Sequence, residues 1–153
     1  MRASRPHVVV LLAFVGLVGL VGRSASVAAD GHGGGSFRLI VNPANPVGGV
    51  DRTFVAEAFL KKTTRWPNDE LIRPVDLEPD SPVRRRFSDE VLKRSVSAVK
   101  SYWQQMVFSG RGLPPPELDN EDQIVRFVLK NPGAIGYVSG NTNVEGAKVI
   151  AVR

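Results

Sequence analysis

The N-terminal segment is the sequence feature that most constrains the fold, because its pattern predicts that these residues are not part of the folded domain. Two basic residues, Arg2 and Arg5, precede an almost wholly apolar run over residues 8–21. The run has about 14 residues, whereas a helix needs ~20 to span a bilayer. Small residues follow at 24–29, a pattern typical of a cleavable signal peptide. We expect cleavage after Ala29, with an uncleaved N-terminal anchor as the alternative.

Residues 30–36 are rich in glycine and separate the predicted signal peptide from the rest of the chain. An apolar run followed by glycines imitates a strand that leads into a phosphate-binding loop, but no Lys-Ser or Lys-Thr pair follows these glycines. A flexible linker is the better interpretation. The predicted organisation is therefore a signal peptide over residues 1–29, a linker over 30–36 and one domain over 37–153.

The residue types that the chain lacks exclude many chemistries. There is no cysteine, which excludes disulfides, cysteine-based zinc sites and thiol nucleophiles. The two histidines are His7, in the predicted signal peptide, and His32, in the linker. The sequence also has no Gly-x-Ser-x-Gly motif. We therefore expect no enzyme activity, no catalytic residue, no metal site and no cofactor.

The charge balance of the predicted domain gives no sign of a nucleic-acid partner. The whole chain has 20 Lys and Arg against 15 Asp and Glu, a net charge of +5. Three of the basic residues, Arg2, Arg5 and Arg23, lie in the predicted signal peptide. The remainder has a net charge of +2, which is too small for a nucleic-acid-binding surface.

Short apolar segments alternate with helical patterns from residue 37 onward, which predicts an α/β domain with a mixed or parallel sheet and helices on its faces. Extended segments are expected at residues 37–41, 71–77, 134–138 and 148–152, the second of them broken at Pro74. Helices are expected after the caps Asp51, Ser81 and Asp119, and over residues 96–108. The expected shared core contains Phe54, Phe59, Phe87, Trp103, Ile124, Val128 and Ile135.

Three blocks of the sequence resemble the phosphate-binding proteins of ABC transporters. Residues 132–138, PGAIGYV, match a signature of that family, and residues 59–66 resemble its IF-x-G-x-x-x-x-W segment. Residues 72–87 have the length of its strand, R-S-D-G-S-G-T phosphate loop and following helix. The resemblance implies a single three-layer lobe of the type 2 periplasmic binding protein kind, less than half of a complete two-lobed protein. The predicted signal peptide implies a periplasmic location.

The same resemblance implies the ligand and the partners. The expected ligand is phosphate or another small oxyanion. The expected partners are an ABC permease and a second lobe, supplied by another chain or by self-association. An exported solute-binding-like protein is thus the predicted function. The alternative is an accessory or interaction protein that kept the lobe and no longer binds phosphate.

The phosphate loop departs from the family pattern, which predicts a degenerate site. The resemblance places Leu77 at the family's loop arginine, Pro82 at the glycine after the serine, and Val83 at the threonine. These changes remove a guanidinium, a backbone N–H and a hydroxyl, the groups that hold an oxyanion. Ser81 keeps a hydroxyl.

Four residues are candidates for binding a ligand. Ser81 and Arg84 belong to the loop and its helix, and Asn45 and Ser139 lie in loops next to predicted strands. A simpler interpretation is also open. Ser81 and Pro82 would then be a plain helix cap, and the three arginines at 84–86 a solvated face.

Export is directly testable. We predict that the protein recovered from the cell envelope begins at or near Asp30, because the small residues at 24–29 form the cleavage region. N-terminal sequencing or intact mass measures this start. Recovery of the chain in the membrane fraction with Met1 still attached would contradict the prediction.

Overall fold

The computed structural model describes residues 36–153, which fall within one compact unit. The predicted signal peptide, residues 30–35 of the predicted linker and His32 lie outside the described residues. No helix in the described part of the chain is both long and apolar enough to cross a membrane.

Short strands and four α-helices alternate along residues 36–153. In chain order they are β1 (Phe37–Val41), β2 (Gly49–Val50), α1 (Arg52–Phe59), β3 (Arg73–Pro74), β4 (Asp76–Leu77), α2 (Pro82–Phe87), a π-helical turn (Ser88–Leu92), α3 (Val96–Phe108), β5 (Glu117–Leu118), α4 (Glu121–Lys130), β6 (Ala134–Ser139) and β7 (Lys148–Val152).

The main sheet has five strands and is mixed, as the sequence predicts. Its strand order is β2-β7-β1-β6-β3. Strand β1 is antiparallel to both β6 and β7, whereas β2 is parallel to β7 and β3 is parallel to β6. Pro74 lies in the edge strand β3, where its missing N–H costs no ladder bond. The chain then leaves this sheet, and β4 pairs with β5 in a separate two-stranded sheet.

Two neighbouring residues of β6 show that helices cover both faces of the sheet. Successive side chains of a strand point to opposite faces. On the Gly136 face, an added Cβ would lie 2.7 Å from the Cγ2 atom of Ile124, so α4 packs directly on the strand. On the other face, the Tyr137 ring stacks on Phe87 of α2, with ring centroids 3.9 Å apart, and also contacts Phe59 of α1. The predicted three-layer α/β lobe is confirmed.

A tight joint connects the loop after α1 to the start of β6. Gly133 has a φ of +72°, and a Cβ there would lie 2.1 Å from the carbonyl oxygen of Leu71. The Gly133 carbonyl accepts hydrogen bonds from the Trp66 indole at 2.9 Å and from the Arg73 backbone N–H at 3.0 Å. Because both the conformation and the close approach exclude a side chain, the position requires glycine.

The predicted core is confirmed for six of its seven residues. Phe59, Phe87, Trp103, Ile124, Val128 and Ile135 are buried in one cluster. Phe54 is only partly buried, and its ring lies 5.5 Å from that of Trp66 at the margin of the core. In α1 the buried residues are Val55, Ala58 and Phe59. The side of the helix that faces the core therefore does not include Phe54.

Several local boundaries differ from the prediction. The cap of α4 is Asn120, whose side chain accepts a bond from the Gln123 N–H at 3.0 Å, and not Asp119. Asp51 holds the cap position of α1, but its side chain makes no capping bond. The helix after Ser81 ends at Phe87 and continues as the π-helical turn. Strands β2 and β5 have two residues each, too short to give a period in the sequence.

The two large aromatic residues of α3 provide a test of this packing. Trp103 is 6% exposed and Phe108 is 91% exposed. We predict that Trp103→Ala lowers the free energy of unfolding by about 3–5 kcal/mol, because it leaves a cavity in the core. Phe108→Ala is the matched control and should change it by no more than about 0.5 kcal/mol. Urea titrations measure both, and equal losses would contradict the assigned helix phase.

Candidate anion site

The candidate site is the loop between the end of β4 and the start of α2. Ser81 is the N-cap of α2, and its Oγ accepts a hydrogen bond from the Arg84 backbone N–H at 3.3 Å. Pro82 occupies the first turn, as predicted. Residues 78–80, including the acidic Glu78 and Asp80, are exposed. Ser81 itself is partly exposed, so its hydroxyl hydrogen is available to an approaching anion.

Arg84 is buried, which corrects the interpretation of all three arginines as a solvated face. Its side chain is 3% exposed and forms an ion pair with the carboxylate of Asp76, also 3% exposed. The Arg84 Nη1 donates to the Leu77 carbonyl at 2.8 Å, and its Nη2 lies 3.5 Å from the Glu117 carboxylate. By contrast Arg85 is exposed and Arg86 is partly exposed.

Tyr137 completes this buried cluster from the main sheet. Its hydroxyl donates to the Oδ1 atom of Asp76, which also accepts a bond from the Leu77 backbone N–H at 3.1 Å. Burial raises the pKa of Asp76 from 3.8 to about 6, against the opposing effects of Arg84 and Tyr137. Burial and the neighbouring Asp76 also raise the pKa of Tyr137 well above its ordinary value. The cluster therefore neutralises the charge of Arg84 within the fold.

Arg84, in the first turn of α2, brings a guanidinium to the backbone of Leu77. The resemblance places the family's loop arginine at this position, where the chain has a leucine that is 1% exposed. The guanidinium of Arg84 instead bonds the Leu77 carbonyl from α2. A positive group thus remains beside the strand end, but it contacts backbone and carboxylates.

Asn45 lies at the opposite end of the sheet from Ser139. Val41, which precedes the Asn45 loop, pairs with Ile135, whereas Phe37 pairs with Ser139. Four strand positions correspond to roughly 14 Å. The Ser81 loop belongs to the Ser139 end, because β4 runs past Tyr137. The structure therefore does not bring Asn45 to the loop.

Both polar candidates outside α2 have local bonds. The Asn45 side chain is buried and its Oδ1 accepts from the Val47 N–H at 2.9 Å, while its Nδ2 has no partner. The backbone N–H of Ser139 donates to the Glu121 carboxylate at 2.8 Å, and the Ser139 hydroxyl lies 2.9 Å from the same oxygen. A carboxylate at this distance disfavours an anionic ligand at Ser139.

An apolar groove, with a cavity volume of about 860 Å³, lies beside the loop. One wall is formed by the loop and the start of α2, another by α3, and a third by the segment that precedes β5. Its main apolar residues are Trp103, Val107, Phe108, Pro114 and Pro115. The sequence does not predict this groove, because Trp103 of the helix over residues 96–108 is expected in the core and the pattern shows no second apolar surface. The signal for it is the adjacent apolar pair Val107 and Phe108, which lies beyond the buried residues Val99 and Trp103 of α3.

Comparison with known proteins identifies the fold. No model of a known protein family matches the sequence, and no curated protein matches it. Solved structures do match. An ABC-type phosphate transport receptor from Vibrio cholerae aligns with a TM-score of 0.61 at 20% identity, over 77% of this chain and 46% of that one.

Other solved structures give the same result. PstS from Borrelia burgdorferi aligns with a TM-score of 0.60 at 11% identity, over 78% of this chain and 47% of that one. A protein from Clostridium perfringens, crystallised with bound phosphate, aligns with a TM-score of 0.62 at 21% identity, over 77% and 45% of the two chains.

The chain has the fold of phosphate-binding receptors. It spans less than half the length of these matched proteins. The predicted resemblance in fold is thereby confirmed. Within residues 36–153 no group of three acidic or histidine side chains is placed to hold a metal ion.

The buried carboxyl group gives a pH test. The folded-state pKa of Asp76, about 6, exceeds its ordinary 3.8, so the folded protein binds a proton between these pH values that the unfolded chain does not bind. The free energy of unfolding should therefore fall as pH rises from about 4 to above 6, by on the order of 3 kcal/mol from this group.

Two measurements test this. The ¹³C shift of the Asp76 side-chain carboxyl should titrate with a midpoint near 6 in the folded protein. Urea titrations across the same pH range should show a smaller fall in Asp76→Asn than in the unmodified protein. A carboxyl midpoint at or below 4 would contradict the prediction.

Proposed function

We propose that this chain is an exported solute-binding-like protein whose domain, residues 37–153, binds phosphate or another small oxyanion weakly. The observation that carries the proposal is the shared fold with phosphate-binding receptors, at TM-scores of 0.60 to 0.62 over more than three quarters of the chain. The proposed contact is the Ser81 hydroxyl at the loop before α2. The domain has no proposed catalytic role.

Several features support weak rather than tight binding. Ser81 has only one hydroxyl hydrogen to donate, Pro82 has no N–H, and Val83 has no polar side chain. The exposed carboxylates of Glu78 and Asp80 repel an anion. Arg84 adds little net attraction, because Asp76 compensates its charge at short range.

Residues 78–80 of the loop are exposed in this lobe, which is why we propose a second lobe. The matched receptors are about twice as long as this chain's aligned part. A second copy or another chain would supply the facing surface, and an ABC permease would be the membrane partner. Export would follow from the predicted signal peptide and place the domain in the periplasm.

A second candidate function is an accessory or interaction protein that no longer binds phosphate. The specific observation in its favour is that the candidate polar groups have partners within the fold. Arg84 pairs with Asp76, and Ser139 lies beside the Glu121 carboxylate. In this case the lobe would serve only as a binding surface for another protein.

Two serine caps of the same kind allow a matched test. Ser81 caps α2 and Ser95 caps α3, each through a side-chain oxygen that accepts a backbone N–H. Losing either cap should cost about 1 kcal/mol of stability. Isothermal titration with phosphate should give a Kd in the high-micromolar to millimolar range, about −4 kcal/mol at 1 mM. We predict that Ser81→Ala weakens this binding and Ser95→Ala does not.

Other outcomes separate the candidates. Tight phosphate binding that survives Ser81→Ala would place the site elsewhere. Absence of phosphate and sulfate binding in the unmodified protein, at millimolar ligand, would favour the accessory function.

A further inference from the structure

We propose that a cavity beside the edge strand β3 binds a small organic anion with two carboxylate groups. This inference goes beyond the proposed oxyanion site and does not rest on it. The cavity has a volume of about 420 Å³ and lies between the end of α1, the loop that follows this helix, and β3. Its size falls within the range of roughly 300–1,000 Å³ typical of small-molecule sites.

The cavity lies at the end of the sheet opposite the Ser81 loop. Arg73 of β3 pairs with Ala134, the first residue of β6, whereas the Ser81 loop belongs to the Ser139 end of that strand. Five strand positions separate Ala134 from Ser139, which corresponds to roughly 17 Å. The described residues that line the cavity all lie between positions 58 and 74. A ligand bound here is therefore independent of the Ser81 contact.

The charged side chains of the lining are both cationic. They are Lys61, just after α1, and Arg73 of the edge strand, and no acidic residue of the described chain lines the cavity. Within residues 36–153 neither side chain lies within ion-pair distance of a carboxylate. Arg73 is exposed and Lys61 is partly exposed, so both can reach a ligand. Two cations without a carboxylate partner favour a dianion, and arginine can bind a carboxylate through two parallel hydrogen bonds.

The surrounding acidic groups do not balance these charges. Residues 61–73 carry four basic side chains and two acidic ones. One of the two acids, Asp69, lies 3.5 Å from Arg65. Glu57 of α1 is nearby, because its carboxylate accepts a hydrogen bond from the Thr63 hydroxyl at 3.0 Å. When Glu57 is counted as well, four basic side chains face three acidic ones, and the region keeps a net positive charge.

The backbone of Lys61 places a lysine where glycine is usual. Lys61 follows Leu60, the C-cap of α1, and has a φ of +52°. Few residues other than glycine adopt this left-handed conformation, which commonly ends a helix. The Lys61 N–H donates to the Ala58 carbonyl at 3.1 Å, so the backbone ends the helix without help from the side chain. A lysine therefore has no conformational advantage over glycine here, whereas its ammonium adds charge to the cavity.

The rest of the lining suits the short carbon chain between two carboxylates. Ala58, Ile72 and Pro74 are buried apolar residues of the lining, and Leu71 is 49% exposed. Methylene groups gain free energy when they leave water for such a surface. A phosphate ion has no such groups, so the lining favours an organic anion.

Glutarate and its uncharged diamide, glutaramide, test the proposal, because they share a carbon chain and differ in charge. Each is titrated into the ¹⁵N-labelled protein at low salt, and the backbone amide shifts are followed by NMR. We expect glutarate to shift the amides of Thr63, Thr64 and Ile72 along one saturable curve, and glutaramide to leave them in place. Added salt should weaken the binding, because it screens exposed charges. The amide of Ser81 should not respond to glutarate, which separates this site from the proposed oxyanion site.

Charge variants locate the site. Lys61→Gln and Arg73→Gln should each weaken glutarate binding by about two- to fivefold. Lys61→Gly should weaken it as much without lowering the urea midpoint, because glycine adopts the left-handed conformation without strain. The matched controls are Lys62→Gln and Arg126→Gln, which change exposed residues outside the cavity lining. Both should change the affinity by less than about twofold.

Three results would overturn the proposal. The first is equal binding of glutarate and glutaramide, since charge would then play no part. The second is an equal loss of glutarate binding in Lys61→Gln and Lys62→Gln, which would indicate general attraction to the surface charge. The third is a set of amide shifts spread over the whole chain, or no shift at Thr63, Thr64 and Ile72. The NMR spectra also establish that each variant is folded.

Discussion

The buried ion pair between Asp76 and Arg84 determines how the loop before α2 is built. Its two charges lie almost wholly out of water, so each depends on the other and on the groups around them. Through Tyr137 and Glu117 the pair also connects the main sheet to the two-stranded sheet. Removing one partner from such a buried pair typically costs about 3–5 kcal/mol, because an uncompensated charge remains. The helix, the loop and both sheets are therefore constrained at one point.

This arrangement has a direct effect on ligand binding. A guanidinium that is already neutralised by a carboxylate attracts an incoming anion less than a free one would. The chain thus has a positive group near the position expected from the family resemblance, yet it uses that group for stability.

Sequence patterns predicted the elements that depend on local chemistry. The strands β1 and β7 were located by their apolar runs, and the start of α2 by the Ser81-Pro82 pair. Features that depend on distant residues were not predictable. Burial of Arg84 requires Asp76 and Tyr137 to meet it, and nothing local in three successive arginines indicates which one turns inward. The separation of Asn45 from Ser139 depends on the register of β1 against β6, which residues far apart in sequence establish. The groove exists only once α3 packs beside the proline segment.

The joint at Gly133 has a consequence for how relatives of this lobe are recognised. The indole of Trp66 and the carbonyl of Gly133 are 67 positions apart in sequence and 2.9 Å apart in space. The two motifs that contain them, a tryptophan segment and a glycine-alanine strand start, are thus two halves of one contact. Replacing Trp66 removes the N–H donor, whereas a side chain at position 133 keeps the carbonyl acceptor but would lie 2.1 Å from the Leu71 carbonyl oxygen and displace the backbone. A chain that shares this lobe but lacks the tryptophan has therefore lost the contact, however well its helices align.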